Sequence, residues 1–118
     1  MNKKIMIVDD DRLNLTLLQF GLKEKGYQIC VAHDGKEALD VLARERPDLI
    51  ILDIQMPNMN GYEFMNHING APEFKVPVVM LTANETMQDV FFMEGVRGYL
   101  VKPVNMKILE EKIAACLK

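Results

Sequence analysis

Three carboxylates and one ammonium stand at the downstream ends of strand-like runs. Asp9 and Asp10 follow Lys4 to Val8, Asp53 follows Asp48 to Leu52, and Lys102 follows Gly98 to Val101 and precedes Pro103. If these runs are parallel neighbours, their ends meet at one edge of a sheet and the four groups share a small site. Such a site is costly on its own, because two unit charges about 4 Å apart repel by roughly 4 kcal/mol at an effective dielectric of 20. A hard divalent cation that prefers oxygen removes that cost. Mg²⁺ suits it, since it takes one or two carboxylates, keeps waters and pairs with phosphate oxygens. Lys102 offers a point positive charge to an anion. Thr82, after the run Val76 to Leu81, offers a hydroxyl donor. A carboxylate can also attack phosphorus and become an aspartyl phosphate. Asp53 is the candidate nucleophile, because it stands alone after the most apolar segment, Leu49 to Leu52.

The elements that must position these groups follow from periodicity. Strands are expected at Ile5–Val8, Gln28–Ala32, Leu49–Leu52, Val76–Leu81 and Tyr99–Val101. An all-apolar run such as Leu49–Leu52 reads as a strand buried on both faces. Pro77 stands near the start of its strand, where a missing N–H is tolerated. Leu13, Leu15, Leu17, Leu18, Phe20 and Leu22 form a broad helical stripe that Gly26 terminates. Ala38, Leu39 and Leu42 mark a second helix, begun after an Asp34-Gly35 turn and stopped by Pro47. Further helices are expected at Tyr62–Ile68, at Glu85–Glu94 and from Met106 to Leu117, the last capped by Asn105. The segment Met56 to Gly61 is loop by its Pro, Asn and Gly content. Short connections between alternating strands and helices demand a parallel sheet, right-handed crossovers and helices on both faces. In such sheets ligands bind beyond the carboxyl ends of the strands. The expected fold is therefore α/β, a doubly wound five-stranded parallel sheet in one domain spanning 1–118.

Bulk properties narrow the function classes. The 118 residues are 49% hydrophobic and 26% charged, with a net charge of −3. No basic block suggests a nucleic-acid surface, so direct nucleic-acid binding is not expected. No apolar run approaches the about 18 residues that span a bilayer, so no membrane association is expected. The start, Met1-Asn2-Lys3-Lys4, has no signal-peptide pattern, and the expected location is cytoplasmic. Cys30 and Cys116 lack metal-ligand spacing and read as reduced, packed thiols. His33 and His67 have no partner pattern and read as surface residues.

The whole set of motifs resembles the receiver domain of two-component response regulators, and chemotaxis receivers in particular. Asp9-Asp10, Asp53, Met56-Pro57 through Gly61, Thr82-Ala83 and Lys102-Pro103 carry the resemblance, together with Asp34-Gly35-Lys36-Glu37-Ala38-Leu39. It covers essentially the whole chain. It implies a flavodoxin-like (βα)5 fold with strand order 2-1-3-4-5. It further implies that Asp53 accepts a phosphoryl group from a sensor histidine kinase or phosphotransfer protein. Mg²⁺, with Mn²⁺ as the expected substitute, would be held by Asp10, Asp53 and the Gln55 carbonyl, with Asp9 acting mainly through water. Lys102 would pair with the phosphate, and its peptide to Pro103 would be cis. Thr82 and Tyr99 would switch together and alter the surface of the fourth helix, fifth strand and last helix. That surface would meet a downstream protein or a second copy of the chain. Gln55 and Asn84 would set the phosphate lifetime. The domain would be a regulatory phosphoacceptor, not an enzyme with a separate substrate.

Several residues admit plainer roles. Acids before a helix are often caps, which Asp11 fits well and Asp9 or Asp10 alone could fit too. Thr82 could satisfy a nearby backbone group, and Tyr99 could simply pack. Phe91 and Phe92 are adjacent and cannot share one narrow helix face, so one packs inward while the other is satellite core or partner surface. The stretch from Thr82 to Lys102 is about two residues shorter than receivers usually have, which puts the standard output surface in doubt. Two rival functions use the same fold. One is an interaction module that needs no phosphorylation, which the full set of site residues disfavours. The other is a hydrolase with an aspartyl-phosphate intermediate, which usually has a second aspartate two residues after the nucleophile, where this chain has Gln55.

Overall fold

The apolar runs form strands and the periodic segments form helices in a computed structural model that describes residues 3–53, 61–71, 75–82 and 96–117. In chain order the elements are β1 (Lys4–Val8), α1 (Arg12–Glu24), β2 (Gln28–Ala32), α2 (Gly35–Glu45), β3 (Leu49–Asp53), α3 (Gly61–Asn69), β4 (Val78–Thr82), β5 (Val96–Val101) and α4 (Met106–Cys116). The predicted helix over 85–94, with Phe91 and Phe92, lies outside the described residues, as do Gln55, Asn84 and most of the 56–61 loop.

All strand pairs are parallel and the sheet order is β2-β1-β3-β4-β5. This is the doubly wound, flavodoxin-like arrangement expected above. Alternation along the strands divides the core between two faces, since successive side chains point oppositely. Met6, Val8, Ile50, Leu52, Val78 and Met80 pack with Phe64 and Ile68 of α3 and Ala38 and Leu42 of α2. Ile5, Ile7, Leu49, Ile51, Val79 and Leu81 pack with Leu15, Leu18 and Leu22 of α1 and Leu109 and Ile113 of α4. Helices on both faces explain why β3 and β4 are buried at every position.

Local chemistry sets the helix ends. Asp11 caps α1, its carboxylate accepting the N–H groups of Leu13 and Asn14. Asn105 caps α4 through Ile108 N–H at 3.2 Å. Asp34 caps α2 through Glu37 N–H, so the expected Asp34-Gly35 turn is the start of that helix. Pro47 disfavours helical geometry at Arg46. Arg46 instead takes a left-handed conformation, φ 49°, and ends α2. Replacing Asp11 with alanine is expected to lower stability by about 1 kcal/mol, the usual value of an N-cap. Thermal melts of the variant check it.

The broad apolar stripe of α1 is corrected. Leu15, Leu18 and Leu22 are buried, but Leu13, Leu17 and Phe20 are exposed, Leu13 to 68%. At 3.6 residues per turn these two rows fall on nearly opposite faces of the helix, and only one can meet the sheet. Strand boundaries also shift. β4 begins after Pro77, whose carbonyl accepts Ile50 N–H at 3.0 Å. β5 starts at Val96, three residues before the expected start, and its register with β4 slips between Val78 and Val79. Cys30 and Cys116 are free thiols, each half-buried against one of the two cores. His33 and His67 are exposed, His33 lying 3.1 Å from Glu37.

Candidate functional site

Register brings the acids together. β1 pairs with β3 so that Val8 faces Leu52, which places Asp9 level with Asp53 at the next step. Asp9 N–H donates to the Ala32 carbonyl at 3.1 Å, prolonging β1 by one rung. On the other side Thr82 faces Val101, and Lys102 N–H donates to the Thr82 carbonyl at 2.8 Å. Asp9, Asp53, Thr82 and Lys102 thus stand on four neighbouring strand ends because the strands end at matching heights. Asp10 lies one step beyond Asp9.

One carboxylate oxygen from each of Asp9, Asp10 and Asp53 falls within 4.8 Å of the others. Asp9 is fully buried and Asp53 is 4% exposed, while Asp10 faces solvent. Two buried acids beside a third are held by specific donors. Lys102 Nζ lies 3.0 Å from Asp53 Oδ2. Asp9 Oδ1 accepts the Asp11 N–H at 3.0 Å, and Asp9 Oδ2 accepts the Asn14 side-chain amide. Burial alone would lower the Lys102 pKa. The hydrogen bond to Asp53 and the charges of Asp53, Asp9 and Asp10 outweigh it, and the pKa lies above the ordinary lysine value. The ammonium is therefore firmly charged at neutral pH.

Thr82 is buried at the end of β4. Tyr99 is half-buried and packs against the core beneath α2 and α3. The Lys102–Pro103 peptide is cis. A groove of about 460 Å³ reaches from Asp11 and Asn14 along α1 to Lys102 and Pro103. Asn14 was not singled out by the sequence. Its only trace there is an amide residue in a leucine-rich helix one turn after the paired acids, a type with modest helix propensity.

Chemically, an oxygen-only donor set backed by one lysine can hold a hard divalent cation and present a carboxylate to an electrophile. No helix among the described residues is long and apolar enough to cross a membrane.

Comparison with known proteins bears on this geometry. The family model for the response regulator receiver domain matches residues 5–114. The alkaline phosphatase synthesis transcriptional regulatory protein PhoP of Bacillus subtilis (strain 168) is 38% identical over 120 residues, which cover 100% of this chain and 50% of that protein. The chain thus spans about half the length of this curated relative. The chemotaxis response regulator CheY4 of Vibrio cholerae superposes with a TM-score of 0.92 at 32% identity, covering 99% of this chain and 100% of that one. A two-component response regulator from Clostridium difficile gives 0.89 at 30% identity, covering 98% and 96%.

Proposed function

The chain belongs to the response regulator receiver domain family, and from that premise we propose that it is a Mg²⁺-dependent phosphoacceptor switch phosphorylated on Asp53. The observation that carries the reading is the convergence of Asp9, Asp10 and Asp53 within 4.8 Å, with Lys102 at 3.0 Å from Asp53. The donor set fits the cation. Three clustered carboxylates repel one another, and one lysine offsets only part of their charge. Asp10, Asp53 and the Gln55 carbonyl would hold Mg²⁺, with Asp9 acting through water and Mn²⁺ able to substitute. When bound, the cation supplies positive charge to the carboxylates and to incoming phosphoryl oxygens.

The residues divide the remaining work. An Asp53 oxygen attacks phosphorus of a phosphohistidine or small acyl phosphate. The new O–P bond forms as the bond to the leaving group breaks, and the leaving group departs with that electron pair. Lys102 balances the charge gathered on the phosphoryl oxygens. The Thr82 hydroxyl, one strand over, would donate to the product. Tyr99, half-buried beside β4, then exchanges its packing as Thr82 moves. The two states differ at the surface formed by the fourth predicted helix, β5 and α4, which meets a downstream protein or a second copy. Gln55 and Asn84 tune how long the phosphate lasts. The phosphodonor is a sensor histidine kinase or phosphotransfer protein, the domain occupies 1–118, and it works in the cytoplasm.

The test is incubation with Mg²⁺ and acetyl phosphate, followed by intact mass and amide NMR. One phosphoryl group per chain is expected, with shifts at Thr82 and Tyr99. No adduct and no Mg²⁺-dependent shift would favour an interaction module that needs no phosphorylation.

A further inference from the structure

We propose that Asn14 is a positioning residue of the acidic site, fixing the Asp9 carboxylate and thereby setting the affinity for the divalent cation, an inference that rests on the function proposed above. Asp9 is fully buried, and both of its oxygens accept hydrogen bonds from the start of α1: Oδ1 from the Asp11 N–H, Oδ2 from the Asn14 amide. A carboxylate accepts but does not donate, so the NH₂ of Asn14 must face it. The backbone donor is present with any residue but proline at position 11. The side-chain donor is not, and it is the one that fixes the rotation of the carboxylate plane. Each acid of the cluster therefore has a different surrounding: Lys102 lies on Asp53, Asn14 on Asp9, and Asp10 faces solvent.

Asn14 is the third residue of α1, between Leu13 and Leu15 in its first turn, where its side chain can reach back to the end of β1. Groups that orient a cation's carboxylates commonly change affinity by about 10–100-fold when removed. Without the amide, Asp9 can turn within its pocket, and the array loses part of the arrangement that the cation requires.

Two variants test this, Asn14→Leu and Asn14→Ala, the second only deleting atoms at a half-exposed helix position. Mg²⁺ affinity is read by amide NMR titration without any phosphodonor. Both variants are expected to bind Mg²⁺ about tenfold more weakly than wild type. With acetyl phosphate, the Mg²⁺ concentration for half-maximal phosphorylation should rise by the same factor, while the rate at saturating Mg²⁺ is unchanged. In an Asp9→Asn background the Asn14 substitutions should change affinity less than twofold, since the carboxylate they orient is gone. Wild-type-like Mg²⁺ affinity in both single variants, with wild type itself responding to Mg²⁺, overturns the role of Asn14 and leaves the function standing. A wild type that shows no Mg²⁺ response overturns the site reading itself.

Discussion

Asp53→Asn is expected to abolish the phosphoryl adduct and, at the same time, to raise the melting temperature of the metal-free protein. The first effect is complete because an amide oxygen is a far weaker nucleophile than a carboxylate and the substitution removes the attacking charge. The second follows from charge arithmetic at the strand ends. Asp53 lies within 4.8 Å of Asp9 and Asp10, and 3.0 Å from the Lys102 ammonium. At an effective dielectric of 20, each of these repulsions is worth roughly 3.5 kcal/mol and the attraction to Lys102 roughly 5.5 kcal/mol. The two repulsions together outweigh that attraction, which is screened further because the lysine side chain is 31% exposed. A net gain of about 1–2 kcal/mol on neutralising Asp53 is expected, a rise of a few degrees for a domain of this size. Mg²⁺ should reverse the order. On the proposed reading it would bind the folded wild type and stabilise it by linkage, and bind the variant less. Intact mass after acetyl phosphate treatment and paired melts with and without Mg²⁺ read both effects. A variant that melts well below wild type in chelator would mean that Asp53 holds the fold together, and the repulsion account would fail.

What the sequence disclosed and what it withheld follow from the range of the forces involved. Strand positions were legible because a strand covered on both faces must be apolar throughout, as Leu49 to Leu52 are. The acids and the lysine were legible because polar groups at the ends of such strands have no structural reason to cluster. Caps were legible at Asp11 and Asn105, since capping needs only neighbours three residues away. The α1 stripe misled because leucine occurs on two opposite faces, and composition does not say which one meets the sheet. β5 was read as too short because Arg97 and Gly98 are poor strand residues. Its early start is fixed by pairing with β4, a contact distant in sequence. Asn14 was missed for a related reason. Its role depends on where the Asp9 side chain points, which no local pattern encodes. The strand order came from the family resemblance, since alternation alone allows other orders. It is now given by the pairing of β1 with both β2 and β3, of β3 with β4 and of β4 with β5.

Lys102→Met carries the other large effect, and it separates stability from chemistry. Methionine keeps the length of the side chain and removes the charge. Asp53, 4% exposed, loses an ammonium 3.0 Å away. Removing one partner of a fully buried pair costs about 3–5 kcal/mol. Here the lysine is partly exposed, so about 1–3 kcal/mol is expected. The pH dependence has a definite sign. The folded pKa of Lys102 lies above its ordinary 10.5. A raised pKa means stability that is fully present below the unfolded value and lost as pH rises through the folded one. The difference in melting temperature between wild type and variant should therefore be flat from neutral pH to about 10, and shrink above it. Added Mg²⁺ should restore much of the variant's stability, because a cation beside the carboxylates replaces the missing charge. It should not restore phosphorylation. In the proposed transfer the lysine would balance charge on the phosphoryl oxygens, and losing one such preorganised charge typically slows reaction by about 10²–10³-fold. Melts across pH with and without Mg²⁺, beside phosphorylation rates at saturating Mg²⁺, measure the two effects separately. Equal rates for variant and wild type at saturating Mg²⁺ would make Lys102 a charge balance for the unphosphorylated site alone, and its part in transfer would have to be abandoned.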